Sequence, residues 1–152
     1  MAMVENKSQV TVRRLICGLG VAGLVPFCLL GLFPNFAKIS FEPLSGLVVY
    51  GALILSFLGG TVWGLTLHSV NTFPRKHLFL IVAVVPSLFG WVCVFLPTRY
   101  GIFALICFFT MMLLIDFALY RGGQIESWYI KFRLYLTISV ISILATATFR
   151  LI

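Results

Sequence analysis

Residues 50–64, with the sequence YGALILSFLGGTVWG, decide the fold class of this chain. The stretch contains no charged residue, and uncharged, mostly apolar sequence continues on both sides of it over residues 44–67. A helix of about 20 residues crosses the hydrocarbon core of a bilayer, which is about 30 Å thick, because each residue adds about 1.5 Å. The sequence therefore predicts a transmembrane helix over this stretch.

Four further apolar runs, separated by short connections, surround it. Together they predict five membrane spans, at about residues 15–33, 44–67, 78–96, 102–120 and 130–150. The 152-residue chain is 61% hydrophobic and only 10% charged, whereas soluble domains are about 45–50% apolar and about 25% charged. This balance excludes a soluble enzyme, a disordered chain and a disulfide-rich secreted domain. We predict an all-α integral membrane five-helix bundle, with residues 15–152 as one membrane domain.

The distribution of basic residues predicts the orientation in the membrane. Eight of the eleven Lys and Arg residues lie in the N-terminal tail, in the second-to-third connection or in the fourth-to-fifth connection, and the other three are Lys38, Arg99 and Arg150. Basic residues are retained on the cytoplasmic side. We therefore expect residues 1–14 to form a cytoplasmic tail and the C-terminus to lie outside. Because the charges are dispersed over short loops, membrane lipids are the expected partners and nucleic acid is not.

Small residues within the second span predict a helix-packing face. Ser56, Gly60 and Gly64 are spaced by four residues, with Gly59 beside them, and such spacing places small side chains on one side of a helix, where another backbone approaches closely. Spacing alone does not distinguish a partner helix in the same chain from one in another copy. Alternatively, these glycines leave room for a ligand or a pore. We expect the second span to be central in the bundle.

Asp116 is the only acidic residue within the apolar spans. A charge at the centre of a membrane helix costs on the order of 2.5–3.5 kcal/mol on insertion scales, and less near the interface, so Asp116 needs a partner. It lies near the end of the fourth span and Arg133 near the start of the fifth, which places both at the same depth in an antiparallel hairpin. We predict a buried ion pair between them, with Tyr120 and Tyr129 as hydrogen-bond partners. The pair either clamps the two helices together or forms part of a proton or cation pathway.

Other polar and aromatic residues give weaker indications. Trp63, Trp128 and Tyr129 are of the types that collect at the membrane interface, and we expect them there. His68 and His77 bracket a basic loop, but two histidines without nearby Cys, Asp or Glu are too few for a metal site. No haem, dinucleotide or nucleophile motif is visible in the sequence. We therefore expect no catalytic residue, no cofactor and no metal.

Several of these positions together resemble a known family. The resemblance rests on LSFLGG at residues 55–60, Trp63-Gly64, Asp116, Trp128-Tyr129, Arg133 and Leu136-Thr137. This pattern is similar to a family of small polytopic membrane proteins of unknown function that includes animal transmembrane protein 69. The resemblance covers roughly residues 15–137, and it departs from the family at Ser127, where a proline is expected. It implies a protein of the bacterial inner membrane or of the mitochondrial inner membrane, and it carries no activity with it.

Two functions remain compatible with the sequence. The favoured one is a non-enzymatic inner-membrane protein that serves as an accessory or assembly subunit, through helix contacts with other membrane protein subunits or with its own copies. The alternative is a small channel or carrier for a proton, an ion or a small solute, using Asp116 and the polar residues Ser56, Thr137, Ser142 and Thr146. A carrier usually has such groups near the bilayer midplane, and Asp116 lies near one edge. An enzyme ranks last, because a single buried carboxylate has no second titratable partner in a cleft.

Overall fold

The computed structural model describes residues 2–33, 42–68 and 76–149, and within them it contains six α-helices and no strand. The helices are α1 (Ala2–Ala22), α2 (Leu24–Leu32), α3 (Pro43–His68), α4 (Lys76–Phe95), α5 (Thr98–Arg121) and α6 (Ser127–Phe149). Within these residues, five helical stretches are long and apolar enough to cross a membrane. One of them, Gln9–Leu32, consists of part of α1 and the whole of α2. The predicted all-α membrane fold is confirmed.

The orientation of the termini stays a prediction. Lys38, Arg75 and Arg150, which contribute to the charge count behind it, lie outside the described residues, as do most of the two predicted loops at 34–43 and 68–77.

The first predicted span consists of two helices, separated at Gly23. Pro26 lies three residues after this interruption. Proline lacks an N–H and its ring clashes with the carbonyl four residues earlier, here that of Ala22, so the helix is disturbed just before Gly23. The hydroxyl of Tyr50 on α3 donates a hydrogen bond of 2.9 Å to the Gly23 carbonyl oxygen. The break is therefore tied to α3. By contrast, α4 continues as a helix through Pro86.

A tight turn makes α5 and α6 an antiparallel hairpin. The Gln124 N–H donates to the Leu119 carbonyl and the Gly123 N–H to the Tyr120 carbonyl, each over 3.0 Å. This is the Schellman pattern of helix termination. It requires a left-handed residue, and Gly123 supplies it with φ of 71°. The turn sets the register between α5 and α6.

α3 lies at the centre of the bundle and packs against α2, α4 and α5. The core around it contains fully buried apolar side chains such as Leu55, Leu105 and Phe109. Large apolar side chains are also exposed on the outside, for example Phe57 and Phe103, which are 67% and 64% exposed. A helix that is apolar on all sides is typical of a membrane span. The outer surface of this bundle is therefore suited to lipid.

The closest backbone approach lies between α3 and α4. A Cβ atom placed on Gly59 would overlap the carbonyl oxygen of Ala83, and one placed on Gly90 would lie 3.1 Å from the carbonyl oxygen of Ala52. In lipid, where apolar side chains gain little by leaving the surroundings, such close contact is a main source of helix association. The α3–α4 pair is thus held by backbone contact at glycine.

Candidate functional site

The structure brings together Asp116 and Arg133. The Nε of Arg133 donates to Oδ2 of Asp116 over 2.8 Å, and the two side chains are only 9% and 6% exposed, respectively. Asp116 lies in the last turns of α5 and Arg133 in the first turns of α6, so the α5–α6 turn places them opposite each other. Removing one partner of an ion pair that is buried in this way strongly destabilises a protein, because the remaining charge is left uncompensated.

The guanidinium group of Arg133 is not fully used by this pair. Its Nη2 atom is buried and has no hydrogen-bond partner in the described residues, and it is the only buried side-chain nitrogen or oxygen there of which this is true. Arginine carries five N–H donors and no acceptor. Leaving a donor unpaired in apolar surroundings costs free energy. Arg133 therefore has hydrogen-bonding capacity beyond what Asp116 takes up.

The two tyrosines predicted to support the pair do not hydrogen-bond to it. Tyr120 is exposed on α5. Tyr129 is half-buried, packs edge to face against Trp128 with ring centroids 5.8 Å apart, and lines a cavity instead. For Tyr120 the expectation was wrong because depth in the membrane, which the sequence indicates, does not fix which side of its helix a residue occupies. Tyr129 shares the Arg133 side of α6 but makes no hydrogen bond to the pair.

This cavity lies between α1, α2, α3 and α6, with Phe109 of α5 at its wall, and has a volume of about 420 Å³. One face of α6 supplies Tyr129, Arg133, Thr137 and Val140, which are three or four residues apart and so lie on the same side of the helix. The polar members stand nearest the α5–α6 turn, and the wall becomes apolar farther from it. The sequence analysis missed the cavity. The spacing of Tyr129, Arg133 and Thr137 was the one signal of it in the sequence.

The glycine face predicted on the second span is divided between the inside and the outside of the bundle. Gly59 is buried against α4, but Gly60 and Gly64 are exposed, and a Cβ on either would meet nothing within 4 Å in the described structure. Ser56 is half-buried. Successive helical residues are about 100° apart around the axis, so the neighbours Gly59 and Gly60 point in different directions. The spacing identified a stripe of small residues, but it did not show that this stripe faces away from the chain's own helices.

The predicted interface aromatics lie at the bundle surface or near it. Trp63 is 42% exposed on α3. The indole Nε1 of Trp128 donates to Oε2 of Glu126 over 2.5 Å, and the guanidinium carbon of Arg13 on α1 lies 4.7 Å from the centre of its ring. This cation–π contact links α1 to the start of α6, and the sequence did not indicate it. Placement of these residues at the membrane interface stays a prediction.

The polar residues of the predicted carrier route do not meet. Thr137 is buried near Arg133, but Ser142 and Thr146 are exposed, and the Thr146 hydroxyl donates to the Ser142 carbonyl of its own helix over 2.8 Å. His68 and His77 are exposed at the ends of α3 and α4. No group of three His, Cys, Asp or Glu residues suited to a metal ion occurs in the portion of the chain that is described. The arrangement can therefore hold two helices together and leaves space beside Arg133, and its polar residues form no continuous path within the described part of the chain.

Comparison with known proteins assigns the family. The family described as "Protein of unknown function (DUF3429)" matches residues 12–149. Transmembrane protein 69 of Xenopus tropicalis is 28% identical over 121 residues, which cover 79% of this chain and 48% of that protein, so the chain spans about half the length of this curated relative. No solved structure matches the chain. The match extends over nearly all of the bundle described above, and the chain is a multi-pass membrane protein that belongs to the DUF3429 family.

Proposed function

We propose that this protein acts without catalysis, as an accessory or assembly subunit that contacts another membrane protein through the outer glycine face of α3, defined as Gly60 and Gly64. The observation that carries the proposal is the open space at these two positions, where an added Cβ would meet no described atom within 4 Å. The central helix thus presents small residues both to its own bundle and to the outside.

The cost of glycine in a helix supports a role for the outer glycine face. A glycine in a helix interior is less favourable than alanine by roughly 0.5–1 kcal/mol. At Gly59 that cost is offset by the backbone contact with Ala83. At Gly60 and Gly64 no contact within the described residues offsets it, whereas a second helix could approach closely there and gain van der Waals contact. The partner is a helix of another membrane protein or of a second copy.

The channel or carrier alternative has less support. The carboxylate of Asp116 already binds Arg133 over 2.8 Å, and Ser142 and Thr146 face outward. For the location, we propose the bacterial inner membrane, or the mitochondrial inner membrane if the chain is eukaryotic. These are the compartments that the family resemblance implies.

Copurification from the native membrane tests the proposal. The full-length protein would be purified in mild detergent as wild type, Gly60→Leu and Gly64→Leu, with Gly18→Leu as the matched control. Gly18 also has nothing within 4 Å of its Cβ position but lies on α1. Quantitative mass spectrometry of the bound proteins, with the mass of the purified particle, identifies the partner.

We expect stoichiometric partners, or a defined homo-oligomer, with wild type and Gly18→Leu, and their loss with both α3 variants. Equal recovery of partners from all four proteins, or a wild type that purifies as a monomer without partners, would contradict the proposal.

A further inference from the structure

We propose that the cavity beside Arg133 binds a single-chain lipid with a carboxylate head, such as a free fatty acid, with the head on Arg133 and the tail between α2 and α6. This site is separate from the outer glycine face and does not depend on it. It rests on a cavity, a buried cation with an unpaired donor, and a wall that changes from polar to apolar along one helix.

The unpaired donor of Arg133, a residue that lines the cavity, favours a ligand with oxygen acceptors. Arg133 lines the cavity, and its guanidinium group uses Nε for Asp116 while Nη2 has no partner among the described groups. Guanidinium N–H groups only donate, so an ammonium group or another cation cannot satisfy them. The planar fork of arginine matches a carboxylate and can hold one on its free edge while Nε binds another. A fatty acid head therefore fits the site better than an alcohol or an amine of the same length.

The surrounding charges favour an anion at this end. Asp116 neutralises the charge of Arg133. The net charge near the ligand head therefore depends on the other charged groups at this end of the bundle. Arg13 lies 4.7 Å from the ring centre of Trp128, and Lys131 is exposed on the first turns of α6. Against these stands Glu126, whose carboxylate accepts the Trp128 indole hydrogen bond. The excess of positive charge attracts an acidic head, and the attraction is modest because solvent screens these exposed groups.

The apolar end accommodates one hydrocarbon chain. Tyr129 and Val140 both line the cavity, and at the helical rise per residue they are about 16 Å apart along α6. The cavity volume of about 420 Å³ is distributed along this length, and Leu24 and Phe27 of α2 also line it. This limited volume suits a single acyl chain rather than the two chains of a phospholipid.

Competition with matched probes tests the head of the ligand. The full-length protein in phosphatidylcholine nanodiscs would be labelled with a photoreactive fatty acid, and labelling would be competed with oleate, oleyl alcohol or oleylamine. We expect oleate to compete at a concentration at least about ten-fold lower than the alcohol, because it gains a charge-assisted hydrogen bond. In the double variant Asp116→Asn/Arg133→Gln this preference should disappear. In Arg99→Gln, which removes an exposed cation at the opposite end of α5 from Asp116, it should persist.

A second pair of variants tests where the hydrocarbon tail of the ligand binds, and neither variant changes the ion pair. Leu24→Trp narrows the cavity at the half-buried Leu24 and should weaken oleate and oleyl alcohol alike, whereas Leu29→Trp, at an exposed position of α2, should leave both unchanged. The proposal is overturned if wild type binds oleate and oleyl alcohol equally, if Leu24→Trp binds both like wild type, or if the protein holds a diacyl phospholipid that oleate does not displace. The wild-type comparison decides the matter even if the double variant does not fold.

Discussion

The pairs α3–α4 and α5–α6 are neighbouring helix pairs held together by different means. In α3–α4 the backbones touch, with Gly59 against the Ala83 carbonyl and Gly90 against Ala52. In α5–α6 the helices are joined by side chains, through the buried pair of Asp116 and Arg133. In lipid, which surrounds apolar side chains as well as a protein core does, these are the two available sources of association, namely close packing and polar contact. The difference teaches that one small bundle uses both, each in its own helix pair.

The two pairs should respond to mutation differently. Close packing is sensitive to added volume, and an ion pair is sensitive to the loss of one charge. Both sensitivities can be measured as changes in the free energy of unfolding of the full-length protein in mild detergent or bicelles.

The largest effect is expected at the ion pair. Asp116→Asn leaves the guanidinium of Arg133 charged and buried, and breaking a buried pair from one side costs about 3–5 kcal/mol. Arg133→Gln should cost less, because a lone carboxyl group can be neutralised by binding a proton, whereas a guanidinium stays charged. Lys131→Gln is the control for loss of a cation and should change stability by less than about 0.5 kcal/mol. An Asp116→Asn protein as stable as wild type would remove the ion pair from the description of α5–α6.

An intermediate effect is expected at the α3–α4 contact. Gly59→Ala places a methyl group on the Ala83 carbonyl, where backbone rather than a flexible side chain has to move, and overpacking of this kind costs about 1–3 kcal/mol. Gly60→Ala is the matched control one residue away. It meets nothing within 4 Å of its Cβ in the described structure and should be neutral or stabilise by up to about 1 kcal/mol, since alanine is the better helix former. Equal effects of the two substitutions would show that α3 is rotated relative to the present description.

The smallest effect is expected where α3 meets the break between α1 and α2. Tyr50→Phe removes the hydroxyl that donates to the Gly23 carbonyl over 2.9 Å, and it should destabilise by about 1 kcal/mol. Tyr135→Phe, at an exposed tyrosine of α6, serves as the control and should be neutral. If both substitutions have the same small effect, the hydrogen bond does not hold the break in place.

The sequence predicted the fold and the ion pair because both depend on strong constraints. An uncharged run such as 44–67 is too long and too apolar for water, so a membrane span follows from its length. Asp116 is the one acidic residue in the apolar spans, and Arg133 is at matching depth across a turn marked by Gly122 and Gly123. Because there is one buried acidic residue and one candidate partner, the pairing follows from the sequence.

Rotation about a helix axis was the part that the sequence left undetermined. In a membrane helix both sides are apolar, so the hydrophobic pattern that orients a helix in a soluble protein is weak. The i, i+4 spacing of Ser56, Gly60 and Gly64 therefore predicted a packing face without showing which helix it meets, and inside the chain Gly59 makes the contact. The break at Gly23 and the cavity beside Arg133 depend on residues from several helices at once, which no local pattern records.

A double-mutant cycle at Asp116 and Arg133 tests most directly that a buried ion pair joins α5 and α6. The free energy of unfolding would be measured for wild type, Asp116→Asn, Arg133→Gln and the variant that carries both changes. The double variant leaves no charge in the interior of the hairpin. We predict that it is more stable than Asp116→Asn alone and that the coupling energy exceeds about 1 kcal/mol. If the two single effects simply add, the two side chains do not interact, and the ion pair does not hold the hairpin.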